Sequence, residues 1–223
     1  MAIEPMTVAV NPSENVTAVI YKAESSPAGV TLVLGHGAGA NQTHPFMIAF
    51  SEGLAARGID AVTFNFPYTE HHRKVPDRGD KLEACYRAVI AAVAEHPALR
   101  SNRLFIGGKS MGGRIASQVA AEGGEGLRGL VFLGYPLHPP GKLDQLRSKH
   151  LPKIKLPMLF LQGTRDSFGT PAELEPIIRG LTPLPDIYKI EGGDHSFKTP
   201  KKQGLSQEEV YALALDAIAA WLK

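Results

Sequence analysis

Short apolar runs alternate with longer amphipathic segments along most of this 223-residue chain. The apolar runs are rich in β-branched residues, whereas apolar residues recur with a period of about 3.6 in the segments between them. This alternation is typical of a mostly parallel sheet covered by helices on both faces. We therefore predict an α/β fold with a twisted sheet of about seven or eight strands. The predicted strands are 6–10, 16–21, 29–35, 59–66, 102–108, 127–134, 158–163 and 185–190.

Length and composition favour one domain without a large cap. Hydrophobic residues make up 43% of the chain, which is enough to bury a sizeable core at this length. We therefore predict a single domain over residues 1–223. Two segments interrupt the alternation: 67–81 is polar and basic, and 135–157 is rich in proline and too short for a cap domain. Both are predicted to be loops near one end of the sheet.

Two helices carry clear sequence signals. Apolar residues at helical spacing run from Leu82 to Val93, and Pro97 is predicted to end this helix. Cys85 lies on the apolar face, so we interpret it as a buried structural thiol, not a nucleophile. Near the C-terminus, Ser206 and Glu209 have the spacing of a capping box ahead of a final packed helix.

Charge and composition argue against several classes of function. The formal net charge is only +2, which gives no reason to expect nucleic acid or an anionic membrane as partner. One cysteine excludes an internal disulfide and a zinc site built from several thiolates. The N-terminus resembles no leader peptide, and no run reaches the roughly 18 apolar residues of a membrane span. We expect a cytoplasmic protein with no metal and no cofactor. The sequence carries no signal for the oligomeric state.

The stretch LFIGGKSMGGR, residues 104–114, is open to two interpretations. Its Gly-Lys-Ser suggests a phosphate-binding loop, but that motif requires a glycine where this chain has Arg103. Its Gly-x-Ser-x-Gly suggests a nucleophile elbow, and a predicted strand runs into Ser110 while a helix-compatible stretch follows it. Gly108 and Gly112 occupy the two positions where the tight turn leaves little room for a side chain. We therefore predict that Ser110 is a nucleophile.

Chain order identifies the partners of such a serine, because the acid follows a later strand and the histidine follows the last one. Only His195 among the eight histidines lies beyond residue 150, and it follows the last predicted strand. Asp166 follows the strand 158–163 and is our candidate acid, which would orient His195 through its Nδ1–H. Asp144 and Asp194 are weaker rivals for this role.

The developing oxyanion of acyl transfer needs backbone N–H donors. Met111, directly after Ser110, is predicted to supply one. The glycine-rich stretch LGHGAGAN, residues 34–41, follows an early strand, and Ala38 is our choice for the second donor. His36 in this loop is interpreted as a hydrogen-bonded structural residue more readily than as a second base.

Taken together, these motifs resemble the α/β-hydrolase superfamily from about residue 16 to residue 222. The sequence is most similar to small bacterial dienelactone-hydrolase-like proteins, a group related to a subunit of the non-specific-lethal chromatin complex. The motifs that carry the resemblance are GHGAGAN, FNFPY, GGKSMGGR, LGYPLHPPG, LQGTRD and GGDHSF. It implies a catalytic triad of Ser110, His195 and Asp166. Dienelactone hydrolase itself uses a cysteine, so its substrate is not implied for a chain with Ser110.

The sequence favours a serine hydrolase that cleaves small carboxylic esters or thioesters. Two alternatives stay open: an interaction protein with this fold and little turnover, and an acyltransferase. Basic residues could form a substrate rim that selects acidic substrates. The candidates for this rim are His36, Lys109, Arg165 and Arg73. Alternatively, Lys109 and Arg165 point into solvent or pair with Asp77 and Asp80.

Overall fold

The structure is a computed structural model that describes residues 2–223. Its strands belong to one eight-stranded sheet with the order β1-β2-β4-β3-β5-β6-β7-β8. The strands are β1 (Ala2–Asn11), β2 (Glu14–Lys22), β3 (Val30–Gly35), β4 (Asp60–Phe64), β5 (Arg103–Lys109), β6 (Leu127–Leu133), β7 (Met158–Gly163) and β8 (Asp186–Ile190). The helices are α1 (Pro45–Ala55), α2 (Pro67–Glu70), α3 (Gly79–Glu95), α4 (Met111–Glu122), α5 (Pro171–Ile178) and α6 (Gln207–Leu222).

The sheet is mostly parallel, as predicted. β1 and β2 pair antiparallel, and β2 is also antiparallel to β4. From β4 through β3 to β8 every neighbouring pair is parallel. β3, β4 and β7 are buried at every position, because helices cover the sheet on both faces. The predicted α/β fold with seven or eight strands is therefore confirmed.

Two apolar clusters lie on opposite faces of the sheet. One contains buried side chains of α3, α4 and α5, and the other contains those of α1 and α6. Cys85 belongs to the first cluster and is fully buried, and this burial raises the pKa of its thiol. A thiol held in the protonated form is a poor nucleophile, which agrees with a structural role.

The predicted signals at helix ends are present. α3 ends at Glu95, two residues before Pro97. The capping box of α6 is complete, because Ser206 Oγ accepts from the Glu209 N–H at 3.2 Å and the Glu209 carboxylate accepts from the Ser206 N–H at 2.7 Å.

The prediction of a loop over residues 67–81 is partly wrong. Pro67 starts α2, a single turn, because its fixed φ suits the first position of a helix and that position needs no N–H donor. α3 begins at Gly79, before its apolar face starts at Leu82. By contrast, segment 135–157 contains only a short 3-10 turn, Leu151–Lys153, and is otherwise irregular.

Within residues 2–223, no helix is long and apolar enough to cross a membrane. Within the same residues, no group of three or more His, Cys, Asp or Glu side chains is arranged to hold a metal ion.

Candidate active site

Ser110 lies between the last residue of β5 and the first residue of α4, with φ 51° and ψ −113°. A positive φ is unusual for a residue with a side chain and costs conformational energy. The surrounding backbone fixes this conformation, since the Ser110 N–H donates to the Leu133 carbonyl at 3.2 Å and the Ser110 carbonyl accepts from the Arg114 N–H at 3.0 Å. The hydroxyl is thereby held at the carboxyl end of the sheet.

The two glycines that flank Ser110 allow β3 to pass close to the elbow. A Cβ atom at Gly108 or at Gly112 would overlap the backbone carbonyl of Gly35. Gly35 is the last residue of β3, and the glycine-rich loop 36–40 begins after it. The absence of side chains at 108 and 112 therefore brings that loop up to Ser110.

Replacing Gly112 with alanine is a direct test of this packing. Helix propensity alone would make the change stabilising by about 1 kcal/mol, because Gly112 is inside α4. The overlap with Gly35 instead predicts destabilisation by about 2 kcal/mol or more, or roughly 4 °C in Tm for a chain of this size. Gly180→Ala is the matched control, since a Cβ there would meet nothing within 4 Å. Equal Tm values for the two variants by circular dichroism would contradict the close approach.

His195 connects Ser110 to Asp166. Its Nε2 lies 2.8 Å from Ser110 Oγ, and its Nδ1 lies 2.7 Å from Asp166 Oδ2. We assign the tautomer from this network: Nδ1–H donates to the carboxylate, and Nε2 accepts from the Ser110 hydroxyl. The structure thus brings together the three side chains that the sequence singled out from three separate loops.

Asp166 is held rigidly. It is 2% exposed, Oδ1 accepts from the Phe168 N–H at 2.8 Å, and Oδ2 also accepts from Gln162 Nε2 at 3.0 Å. The Phe168 ring packs against the His195 imidazole with centroids 4.2 Å apart. Sequence reasoning missed both Gln162 and Phe168, although each lies within four residues of Asp166.

The two rival acids are elsewhere. Asp144 is exposed in segment 135–157. Asp194 accepts from the backbone N–H groups of Ser196 at 2.7 Å and Lys198 at 2.9 Å, so it folds the loop that carries His195. Neither carboxylate contacts the imidazole.

Ala38 and Met111 both line the cleft in front of Ser110. Met111 is the first residue of α4, where N–H groups have no acceptor within the helix. A Cβ atom at Gly37, next to Ala38, would lie 3.7 Å from Ser110 Cβ. The two predicted oxyanion donors therefore lie on the two backbone segments that flank the serine.

His36 is not part of a substrate rim, so that prediction is wrong. It is 0% exposed, its Nδ1 lies 2.8 Å from the Gly37 carbonyl oxygen, and its Nε2 accepts from the Phe66 N–H at 3.2 Å. Burial lowers the pKa of His36 to about 4, so the imidazole is neutral at pH 7. Its role is to hold the glycine-rich loop, which agrees with the structural interpretation.

Lys109 lines the cleft but does not point into solvent or pair with Asp77 or Asp80. Its Nζ donates to the His195 carbonyl at 2.5 Å and lies 5.6 Å from the ring centroid of Phe46 and 5.7 Å from that of Phe197. Burial lowers the pKa of this ammonium to about 8. Lys109 thus anchors the backbone of the residue whose imidazole contacts Ser110.

The cleft has a volume of about 740 Å³, within the usual range of small-molecule sites. Two of the residues predicted for a substrate rim, Arg165 and Arg73, do not line it. Arg165 is exposed, and the Arg73 guanidinium pairs with Asp77 at 2.6 Å. Two arginines and one lysine that the sequence analysis missed also line the cleft: Arg114, Arg147 and Lys198.

An open, mostly parallel sheet with a serine at a strand-to-helix elbow, followed in the chain by an acid and a histidine, defines the α/β-hydrolase class. A family model described as an alpha/beta hydrolase domain matches residues 28–223. The chain therefore belongs to the α/β-hydrolase family.

Solved structures agree with this family. A serine hydrolase without a lid from Xanthomonas campestris is 20% identical, with a TM-score of 0.74 over 99% of this chain and 95% of that one. A dienelactone hydrolase from Anabaena variabilis is 17% identical, with a TM-score of 0.76 over 99% and 96%. Est1E from Butyrivibrio proteoclasticus, solved with ferulic acid, is 13% identical, with a TM-score of 0.77 over 97% and 98%. The predicted resemblance to the α/β-hydrolase superfamily is confirmed, and these solved structures share its fold.

Proposed function

We propose that this protein is a serine hydrolase that cleaves small carboxylic esters or thioesters through an acyl-enzyme on Ser110. The observation that carries the proposal is the continuous hydrogen-bonded chain from Ser110 Oγ through His195 to Asp166, with distances of 2.8 and 2.7 Å. A strained serine in contact with an oriented imidazole suits covalent catalysis, whereas a purely structural serine needs neither feature.

In the first half of the reaction, His195 Nε2 takes the Ser110 proton while Oγ forms a bond to the substrate carbonyl carbon. The carbonyl π electrons move onto oxygen, and the N–H groups of Met111 and Ala38 stabilise that oxyanion. When the oxyanion collapses, the bond to the alcohol or thiol breaks. The leaving group takes the proton from His195, which leaves an acyl ester on Ser110.

In the second half, water gives a proton to His195 and attacks the acyl carbon. Collapse of the second oxyanion releases the carboxylic acid and returns the proton to Ser110. Asp166 stabilises the imidazolium in both halves and keeps Nδ1 protonated, which leaves Nε2 free to accept. The hydrogen bonds from Gln162 and Phe168 to Asp166 keep this carboxylate in position.

The similar structures support the same class of substrate. One is named a serine hydrolase without a lid, and others are named as esterases from Pyrococcus furiosus and from a Rhodothermus marinus protein. A cleft of about 740 Å³ accommodates a small ester or thioester together with its leaving group.

Covalent labelling provides the test. We expect a fluorophosphonate probe to modify the purified protein at one site, and mass spectrometry of the peptides to place that modification on Ser110. The same preparation should hydrolyse p-nitrophenyl acetate and butyrate, with the free acid as the product. Absence of both labelling and hydrolysis would reject the proposal and favour an interaction protein. If the probe labels Ser110 but the main product is the acyl ester of an added alcohol, the result would indicate an acyltransferase.

A further inference from the structure

Arg114 and Arg147 line the cleft without a carboxylate partner. Arg114 Nη1 donates to a neutral acceptor, Gln118 Oε1, at 3.2 Å. No ion pair joins either guanidinium to an acidic side chain within residues 2–223. The two side chains are close enough to interact electrostatically, since burial first and the charge of Arg147 second lower the pKa of Arg114.

The nearby carboxylates are already paired with other cations. Asp77, which also lines the cleft, is bound to Arg73 at 2.6 Å. Glu83, on α3 beside Arg114, lies 3.6 Å from Arg87. Two like charges thus line one cavity with no carboxylate in an ion pair with either of them, and arginine does not lose its proton at physiological pH. Such a pair is a strong site for an anion.

Partly buried hydrogen bonds hold the backbone of both arginines in place. Ser117 Oγ donates to the Arg114 carbonyl at 2.6 Å, and the Tyr135 hydroxyl donates to the Arg147 carbonyl at 2.7 Å. His150 Nε2 lies 2.7 Å from Ser117 Oγ and 3.5 Å from the Tyr135 hydroxyl. One imidazole therefore connects α4 to segment 135–157, and this connection places the two arginines on adjoining walls of the cleft.

His150 adds no charge of its own to this pair. Burial first, and the charges of Arg114 and Lys153 after it, lower the pKa of His150 to about 4. At pH 7 the imidazole is neutral, and its Nε2–H donates to Ser117 Oγ, whose single proton goes to the Arg114 carbonyl. The network is thus structural, and the positive charge of the site comes from the guanidinium groups.

The location of Arg114 places a bound anion in the same cleft as the reacting carbonyl. Arg114 lies in the first turn of α4, about 6 Å of axial rise beyond the N-cap residue Ser110, and both residues line the cleft. An anionic group bound there would therefore be separated from the scissile carbonyl by a few methylene groups. The half-ester of a short dicarboxylic acid has this arrangement.

We propose that Arg114 and Arg147 form a subsite for a carboxylate on the acyl chain, so that the preferred substrates are half-esters or half-thioesters of short dicarboxylic acids. This inference rests on the proposed hydrolase function. Neither arginine of this subsite was among the residues that the sequence predicted for a basic rim.

The test compares two substrates of equal chain length, mono-p-nitrophenyl adipate and p-nitrophenyl hexanoate, at pH 7.5 and low salt. We expect kcat/KM to favour the adipate ester by at least about tenfold, the effect of one charge-assisted contact. Arg114→Gln and Arg147→Gln should each lower kcat/KM for adipate about tenfold and change that for hexanoate less than about twofold. Arg128→Gln is the control, since Arg128 is exposed at the start of β6, away from the cleft.

A second measurement separates failure of this inference from failure of the hydrolase proposal. Adipate binding to Ser110→Ala is measured by calorimetry, alone and with each arginine variant. Weaker adipate binding in both arginine variants supports the subsite even if neither ester is hydrolysed. Hydrolysis with no preference for the adipate ester, or a preference that persists in both arginine variants, would contradict the subsite. Either result would still support the hydrolase function. No adipate binding together with no hydrolysis would reject both.

Discussion

Replacing Ser110 with alanine is expected to lower kcat/KM for p-nitrophenyl butyrate by about 10⁴-fold or more, the order of loss typical when a catalytic serine is removed. The physical reason is specific to the hydroxyl. Without Oγ there is no atom to form the acyl-enzyme, and His195 Nε2 loses the partner that lies 2.8 Å away. The residual rate would come from substrate binding and the oxyanion donors alone, which typically retain about 10³ to 10⁴-fold acceleration over the uncatalysed reaction.

The fold of this variant should be unchanged. Alanine at 110 keeps the backbone hydrogen bonds of the elbow and removes the hydroxyl alone, so circular dichroism should superimpose on that of the unmodified protein. Ser101→Ala is the control, because Ser101 is exposed just before β5, at the other end of the same strand. A Ser110→Ala protein that hydrolyses the ester within tenfold of the unmodified rate would refute the acyl-enzyme mechanism.

The second large effect is expected for Asp166→Asn, which should lower kcat by about 10³ to 10⁴-fold. Asparagine has nearly the same shape, so the packing around this buried position is kept. Its amide can donate to Nδ1 of His195, which favours the tautomer with the proton on Nε2. That tautomer cannot accept the proton of Ser110, and the positive charge of the imidazolium would have no counter-ion.

Asp144→Asn is the matched control for this prediction. Asp144 was one of the two weaker candidate acids from the sequence, and the structure leaves it exposed, while Asp166 occupies the position next to His195 Nδ1. Its kcat should stay within about twofold of the unmodified value, the usual outcome at an exposed position. A large loss in Asp144→Asn with little change in Asp166→Asn, measured in the same ester assay, would show that the acid was assigned to the wrong residue.

Features of the fold and the site that depend on local sequence could be predicted directly. The strands at the centre of the sheet, such as β3 and β7, stand out because burial on both faces demands continuous apolar runs. The grouping of Ser110, Asp166 and His195 could be predicted because strand order fixes which loops meet at the carboxyl end of a parallel sheet. Gly108 and Gly112 could be predicted because the elbow imposes a steric requirement.

Side-chain direction could not be predicted in the same way. Arg165 adjoins Asp166 and yet is exposed, whereas Arg114 is four residues from Ser110 and lines the cleft. The direction of Lys109 depends on Phe46 and Phe197, which approach it only when α1 and the His195 loop pack on the sheet. Adjacency in sequence is therefore a poor guide to which charges face a cleft, since tertiary contacts decide it.

Helix α2, at residues 67–70, could not be predicted from the sequence for a different reason. Their sequence is polar, and a single turn has no period long enough to detect, so only the position of Pro67 carried a signal.

The order of the strands in the sheet determines when the active site forms during folding. Ser110 and His195 are 85 residues apart in the chain and become neighbours across the span from β5 to β8. Closing a loop of that length is opposed by chain entropy until the intervening parallel strands have paired. A chain in which only β1 to β4 have assembled would contain compact structure but no hydrogen bond between the serine and the imidazole. Recovery of the reactive serine during refolding therefore reports the completion of the far half of the sheet, not the first collapse of the chain.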